Sequence, residues 1–469
     1  MRDTLIWGGL ILSGWLLMTV QSSAAEKFWR AGVARSNITP TNALWQGGYA
    51  GRTHAADGKA TDLWLKVLAI EDEQQHRAVI ITTDLLAIRA PLYRNCLPRL
   101  KEKFGLDPAQ VLLTASHTHC GPVLPNRPGS LAAMNPEQRA LIEQYAADLA
   151  DKIVETTGRA LAGMKPARLA ASQASAGFGA NRRNDPEPDR PRLAREGALA
   201  GPVEHSVPVL AVFEPDGGLM AVLFGYACHN TTMTKTFYQY CADYAGFAQA
   251  ELEKSHPGAT ALFFAGCAGD QDPVLRGGLE LAERYGNMLA AAVEESLLAR
   301  PAVLPPTLKV AMETIPLNLG AVPTQAELEK LKDNPTGYVS RWAAGLQADL
   351  KAGKPLERTY PYPVQVWRFG QRQLLITLGG EPVVDYALKF KREFGSQTWV
   401  AGYANEVMCY IPSRRVLDED KPPVASKWWG YEGSQAMMVL GLPAWRWGDD
   451  VEDMITASVH RLVQQTGQP

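Results

Sequence analysis

Three histidines stand where an apolar run gives way to polar turn residues. In Val111-Leu-Leu-Thr-Ala-Ser-His117-Thr-His119-Cys-Gly-Pro122, a buried-type strand ends in His-x-His and Gly-Pro then turns the chain away. A strand carried through His117 has a period of two, which puts both imidazoles on one face. Such a pair can converge on one metal ion or divide ligand and proton-transfer duties; it reads equally well as two hydrogen-bonded core histidines. The apolar stretch Val222-Leu-Phe-Gly-Tyr-Ala-Cys repeats the arrangement with His229 directly after it. Repetition matters because ligands gather outside the carboxyl ends of strands in α/β sheets. His54 closes the glycine-rich stretch Gly47–His54, which could also face a site, whereas His76, His205, His256 and His460 lack any such setting.

Carboxylates and a phenol occupy similar places. Gly269-Asp270-Gln-Asp272-Pro273 follows the apolar run Ala259–Ala265, and Glu381 follows Leu375-Ile-Thr-Leu-Gly-Gly. An aspartate in a turn often bonds only its own backbone, and a glutamate there can simply complement a helix dipole. Tyr410, in Asn405-Glu-Val-Met-Cys-Tyr410-Ile-Pro412, lies in a stretch apolar enough to be core.

The elements that must position these groups alternate along the chain. Strands are expected at Leu65–Ile70, Ala78–Leu85, Val111–His117, Val207–Phe213, Met220–Ala227, Ala259–Ala265, Val364–Phe369, Gln373–Leu378 and Thr398–Ala401. Helical patterns fall between them. The clearest spans Pro136–Leu161, with Asn135 as its cap and Ile142, Tyr145, Leu149 and Ile153 on one apolar face. The expectation is an α/β fold: a mixed β-sheet core covered by helices, in a single large catalytic domain with long loops. Residues 180–202 read as a polar excursion and Pro301–Pro306 as the best linker.

Other classes are excluded by inspection. Hydrophobic residues make up 46% and charged residues 20% of 469, which is the composition of a folded chain rather than a disordered one. The net charge of −2 provides no basic field for a nucleic-acid backbone. No G-x-S-x-G, H-E-x-x-H or G-x-x-x-x-G-K-[ST] occurs. Leu5–Val20 is apolar and ends in Ser22-Ser-Ala-Ala25, so residues 1–25 are expected to be a signal peptide and 26–469 an exported domain, periplasmic or extracellular. The six cysteines contain no C-x-x-C and read mainly as buried thiols. Trp428, Trp429, Trp445 and Trp447 read either as an apolar mouth or as ordinary core.

Taken in order, S-H-T-H-x-G-P, A-x-H, A-G-D-x-x-P, G-E and N-x-x-x-x-Y-I-P resemble the neutral, non-lysosomal ceramidase family, over roughly Trp29 to Trp447. The resemblance implies zinc held by His117, His229, Glu381 and Tyr410, with His119 beside it for proton transfer. It further implies that Arg182 and Tyr431 face the substrate carbonyl, and that the substrate is ceramide or a ceramide-like N-acyl lipid. Additional Ca²⁺ or Mg²⁺ is left open. Two departures stand out. The family runs G-D-x-S-P where this chain has Asp272, and full-size relatives carry a C-terminal β-sandwich domain that no part of this chain resembles. A zinc hydrolase for another amide or ester, or a secreted relative that binds ligand without turnover, therefore remain as alternatives. The expected partner is a small or lipid N-acyl substrate, with no nucleic acid and no transmembrane segment after the signal.

Overall fold

Apolar residues on both faces of most strands require cover on both sides, and two stacked sheets between helices provide it. The computed structural model describes residues 27–126, 131, 134–420 and 430–467; the expected signal peptide and Trp428 and Trp429 lie outside the described residues. The strands of the first sheet are β1 (Trp29–Asn37), β2 (Trp64–Glu71), β3 (Arg77–Thr83), β4 (Val111–Ala115), β5 (Lys165–Ser175), β6 (Ser206–Phe213), β7 (Leu219–Tyr226), β8 (Thr260–Ala265) and β9 (Ala302–Leu304). They run in the order β8-β7-β6-β5-β1-β2-β3-β4, with β9 added on β5. The second sheet orders β10 (Leu308–Asn318), β11 (Thr359–Phe369), β12 (Gln373–Leu378) and β13 (Trp399–Ala401) side by side.

Strand alternation divides the core into layers. On β2, Leu65, Val67 and Ala69 face the long helix α1 (Pro136–Ala162), while Leu68 and Ile70 join the layer shared with Trp367, Leu375 and Trp399 of the second sheet. On β7, Val222 and Phe224 pack with helices α2 (Asp243–Ser255) and α3 (Leu279–Leu298), and Ala221 and Leu223 with the inter-sheet layer. The far face of the second sheet is closed by α5 (Asp385–Phe394) and α6 (Val451–Gln465), once α4 (Gly337–Lys351) has passed to one side. The cap on α1 is as the pattern predicts, with Asn135 accepting from the Gln138 N–H at 2.8 Å. The result is a mixed α/β fold. Among the described residues, no helix is long and apolar enough to cross a membrane.

Three neighbouring strand pairs are parallel, β3–β4, β7–β8 and β12–β13, and the chain leaves each of them toward one place. Residues 401–405 tie the ends of the first sheet together: Gly402 N–H donates to Ala265 O of β8 at 2.9 Å, and Asn405 N–H to Leu113 O of β4 at 2.6 Å.

Several sequence expectations need correction. The stretch Pro301–Pro306 is no free linker, since β9 pairs with β5 and the Trp29 indole donates to Leu304 O at 2.8 Å. Residues 180–202 begin in a short strand, Gly179–Asn181, paired with Gln271–Pro273, and include a helix over Arg190–Glu196. β1, β5 and β10 were not expected, because polar residues interrupt their apolar pattern. All six cysteines are buried and unpaired.

Candidate metal centre

The strand leading to the His-x-His segment stops at Ala115, two residues short of the expected end. His117 then takes φ +64, a left-handed conformation that costs a residue with a Cβ and is uncommon outside sites that need it. Strand alternation therefore does not aim the imidazoles; a turn does. Thr118 forms a bridge to Asn230, which sets the two His-bearing turns side by side. Likewise Glu381–Pro382 pairs in parallel with Tyr410–Ile411, with Glu381 opposite Tyr410.

These turns bring five donors together. Glu381 Oε2 lies 3.2 Å from His117 Nε2 and 3.4 Å from His229 Nε2. Tyr410 Oη is 3.2 Å from His229 Nε2, and His119 Nε2 is 3.2 Å from His117 Nε2. Donor atoms this close together suit groups that would share one metal ion.

Protonation supports the same fit. His117 Nδ1 donates to Leu86 O at 2.7 Å and His229 Nδ1 to Ala268 O at 2.6 Å. A carbonyl only accepts, so in each neutral ring Nε2 carries a lone pair. Both lone pairs face a carboxylate oxygen that is buried and makes no hydrogen bond of its own. Without a cation between them the three would repel, and the residues present therefore suit a metal ion. His117, His119 and His229 form a group that could hold one, their ring nitrogens all lying within 4.8 Å of one another. Burial lowers the pKa of His119 and His229, which keeps their rings neutral as ligands or proton acceptors. Burial and the charge of Glu381 push the Tyr410 phenol well above its usual range.

On the other flank is a lattice of charges. Arg182 donates Nη2–H to Tyr410 Oη at 3.1 Å, Nε–H to Glu432 Oε1 at 2.8 Å and Nη1–H to Asp272 Oδ1 at 3.4 Å. Asp272 also accepts from Thr231 Oγ1 at 3.1 Å and has Arg190 and Arg276 each 3.9 Å away. Burial opposes its charge, but Arg182 and then Arg276 and Arg190 hold its carboxyl far below the usual range. Tyr431, half-exposed, stacks edge-on to Tyr410 with centroids 5.2 Å apart. Thus all eight residues named from the sequence, His117, His119, His229, Glu381, Tyr410, Arg182, Asp272 and Tyr431, meet in one place.

Sequence reasoning missed Arg276, Thr231 and Glu432, which have no signature beyond their neighbours in space. The glycine-rich loop does face the cluster, though not through its histidine. His54 stacks on Tyr238 at the surface with centroids 3.7 Å apart, while Gly48, at φ +94, is what touches the cluster. A Cβ on Gly48 would stand 2.4 Å from His119 Nδ1, so only glycine fits. Trp447 belongs to the core and donates to Tyr410 O at 2.8 Å; Trp445 packs on Trp342.

Residues 29–284 match the family described as "Neutral/alkaline non-lysosomal ceramidase, N-terminal". The neutral ceramidase of Pseudomonas aeruginosa is 26% identical over 282 residues, which is 57% of this chain and 40% of that protein. The aligned stretch thus spans about two fifths of that relative. In fold, the chain is similar to the crystal structure of the neutral ceramidase from Pseudomonas aeruginosa, with a TM-score of 0.66 at 20% identity over 93% of this chain and 75% of that one. A ceramidase complexed with C2 gives the same score and identity over 93% and 76%.

Proposed function

The chain belongs to the neutral/alkaline non-lysosomal ceramidase family, and from that premise we propose that it is a zinc-dependent amidohydrolase that cleaves the N-acyl bond of ceramide or a ceramide-like lipid. The observation that carries this reading is the meeting of two imidazole lone pairs with an otherwise unbonded Glu381 oxygen. His117, His229, Glu381 and Tyr410 are the proposed ligands. Zinc held there supplies a Lewis acid for an acyl carbonyl and a water acidified toward pKa about 7.

The remaining roles fall to the chain's own groups. On this reading Arg182 and Tyr431 hydrogen-bond the acyl oxygen as its charge grows; the bonds from Arg182 to Glu432 and Asp272, which fix its fork, support that role. His119, kept neutral by burial and turned toward the cluster through Nε2, can accept a proton and return it to the leaving amine. Because the proposed ligands run from His117 to Tyr410, residues 26–469 are read as one catalytic unit, and the apolar Leu5–Val20 run supports its export.

The test has two readouts: metal content of the purified protein and release of fatty acid from a labelled short-chain ceramide. About one zinc per chain with hydrolysis supports the proposal; no transition metal overturns it. A second reading, a zinc hydrolase for another amide or ester, is favoured by Asp272 where the family has serine. On that reading Asp272→Ser shifts preference toward ceramide; an unchanged preference counts against it.

A further inference from the structure

A cavity of about 480 Å³ lies next to the histidine cluster, a size suited to a small organic ligand. One side is formed by the turn after β3, Leu86 to Arg89, and by the turn after His119 as far as Leu124. The other side is formed by Trp342 of α4 and by Met438. Leu86 links the cavity to the cluster, because its carbonyl accepts from His117 Nδ1 at 2.7 Å.

Set into this mainly apolar wall is Arg89. Its Nη1–H donates to Val407 O at 2.8 Å, and among the described residues no carboxylate stands within ion-pair distance of its guanidinium. Burial lowers its pKa, with Glu381 the leading charge that opposes this. A second cation, Arg341, lies on the same lining. An unpaired guanidinium costs free energy when removed from water, and a bidentate carboxylate is the partner its fork suits best. The apolar walls next to it suit an alkyl chain.

We propose that this cavity binds an amphiphilic carboxylate, with its alkyl chain against Leu124, Trp342 and Met438 and its carboxylate on Arg89. The proposal rests on the hydrolase reading only for the ligand's origin, which is either the fatty acid released by hydrolysis or an N-acyl amino acid taken as substrate.

Decanoate and decanol share a chain and differ in charge. Trp342 in the wall reports binding by fluorescence, and calorimetry checks it. The expected result is that the wild-type protein, with its metal in place, binds decanoate at least about tenfold tighter than decanol. Arg89→Met brings decanoate to the level of decanol, and Arg89→Lys falls between. Equal binding of the two by the wild type, which requires no variant to fold, overturns the proposal. So does a preference that survives Arg89→Met, since the carboxylate would then be held elsewhere. A second arm separates the sources. If N-decanoylglycine is hydrolysed with higher kcat/KM than N-decanoylethanolamine, and Arg89→Met reverses the order, the site selects substrate. If the two are hydrolysed equally while decanoate inhibits competitively, it holds product. Should neither be hydrolysed, fatty-acid release from labelled ceramide decides the hydrolase reading and the decanoate comparison decides this one.

Discussion

The two flanks of the site are held by different means. On the histidine flank, His117 and His229 are braced by main-chain carbonyls of Leu86 and Ala268, so their aim is fixed by the turns themselves. On the arginine flank, Arg182 is braced by the side chains of Glu432 and Asp272, and Arg183 by Glu419, Asp420 and Glu432. Backbone bracing survives most single substitutions nearby. Side-chain bracing does not, because each acid removed takes away one of the few counter-charges on a buried arginine. On the proposed reading, the first flank holds the metal and the second orients the substrate carbonyl.

Breaking the first flank should have the largest effect. His117→Ala or His229→Ala is expected to lower bound metal from about one per chain to near zero and to abolish hydrolysis, as read by metal analysis and fatty-acid release. Should either variant keep full metal content, the ligand assignment is wrong. Breaking the second flank should spare the metal. Arg182→Ala is expected to reduce kcat by about 10²–10³, the cost of losing one donor to a developing oxyanion, with metal content unchanged. A smaller effect should come from Glu432→Gln, which leaves Arg182 in place but loosens its fork. Misplacement of this kind costs up to about 10²-fold and should appear in kcat more than in KM; an effect on KM alone would make Glu432 a binding residue instead.

The smallest expected effect is at the residue that joins the flanks. Asp270 accepts from Val384 N–H at 2.8 Å just after Glu381, and its own carbonyl takes the Arg182 N–H at 2.8 Å. Burial, opposed by its Val384 hydrogen bond, pushes its pKa up to about 6. A group raised in the folded state contributes stability that is complete below its unfolded value and is lost as pH rises through about 6. Thermal melts of the wild type should thus exceed those of Asp270→Asn by more at pH 4 than at pH 7, the difference changing by no more than about 3 kcal/mol. A constant gap would mean that Arg415, 3.2 Å away, neutralises Asp270 throughout.

The same contrast explains what could be read from the sequence. Strand ends carry a local signal, an apolar run stopped by a polar turn, and so His117, His229, Asp272 and Glu381 stood out. The fold class followed from that alternation as well. Stacking of two sheets did not, because a strand buried against a helix and one buried against another sheet look alike in sequence. The left-handed turn at His117 was equally hidden, since nothing about histidine announces a positive φ. Arg182 and Tyr431 were found only through family resemblance. Glu432, Thr231 and Arg276 escaped because an ion pair between distant loops leaves no pattern in either one.

The centre is assembled from turns 264 residues apart in the chain, judging by the His117–Glu381 contact. Its contact order is therefore high. The entropy of closing so long a loop must be met by the strand pairs beneath before any donor can face another. On the metal reading, loading would be a late event, reporting on completed folding rather than guiding it, and a protein refolded with metal present from the start should gain little speed over one that receives it afterwards.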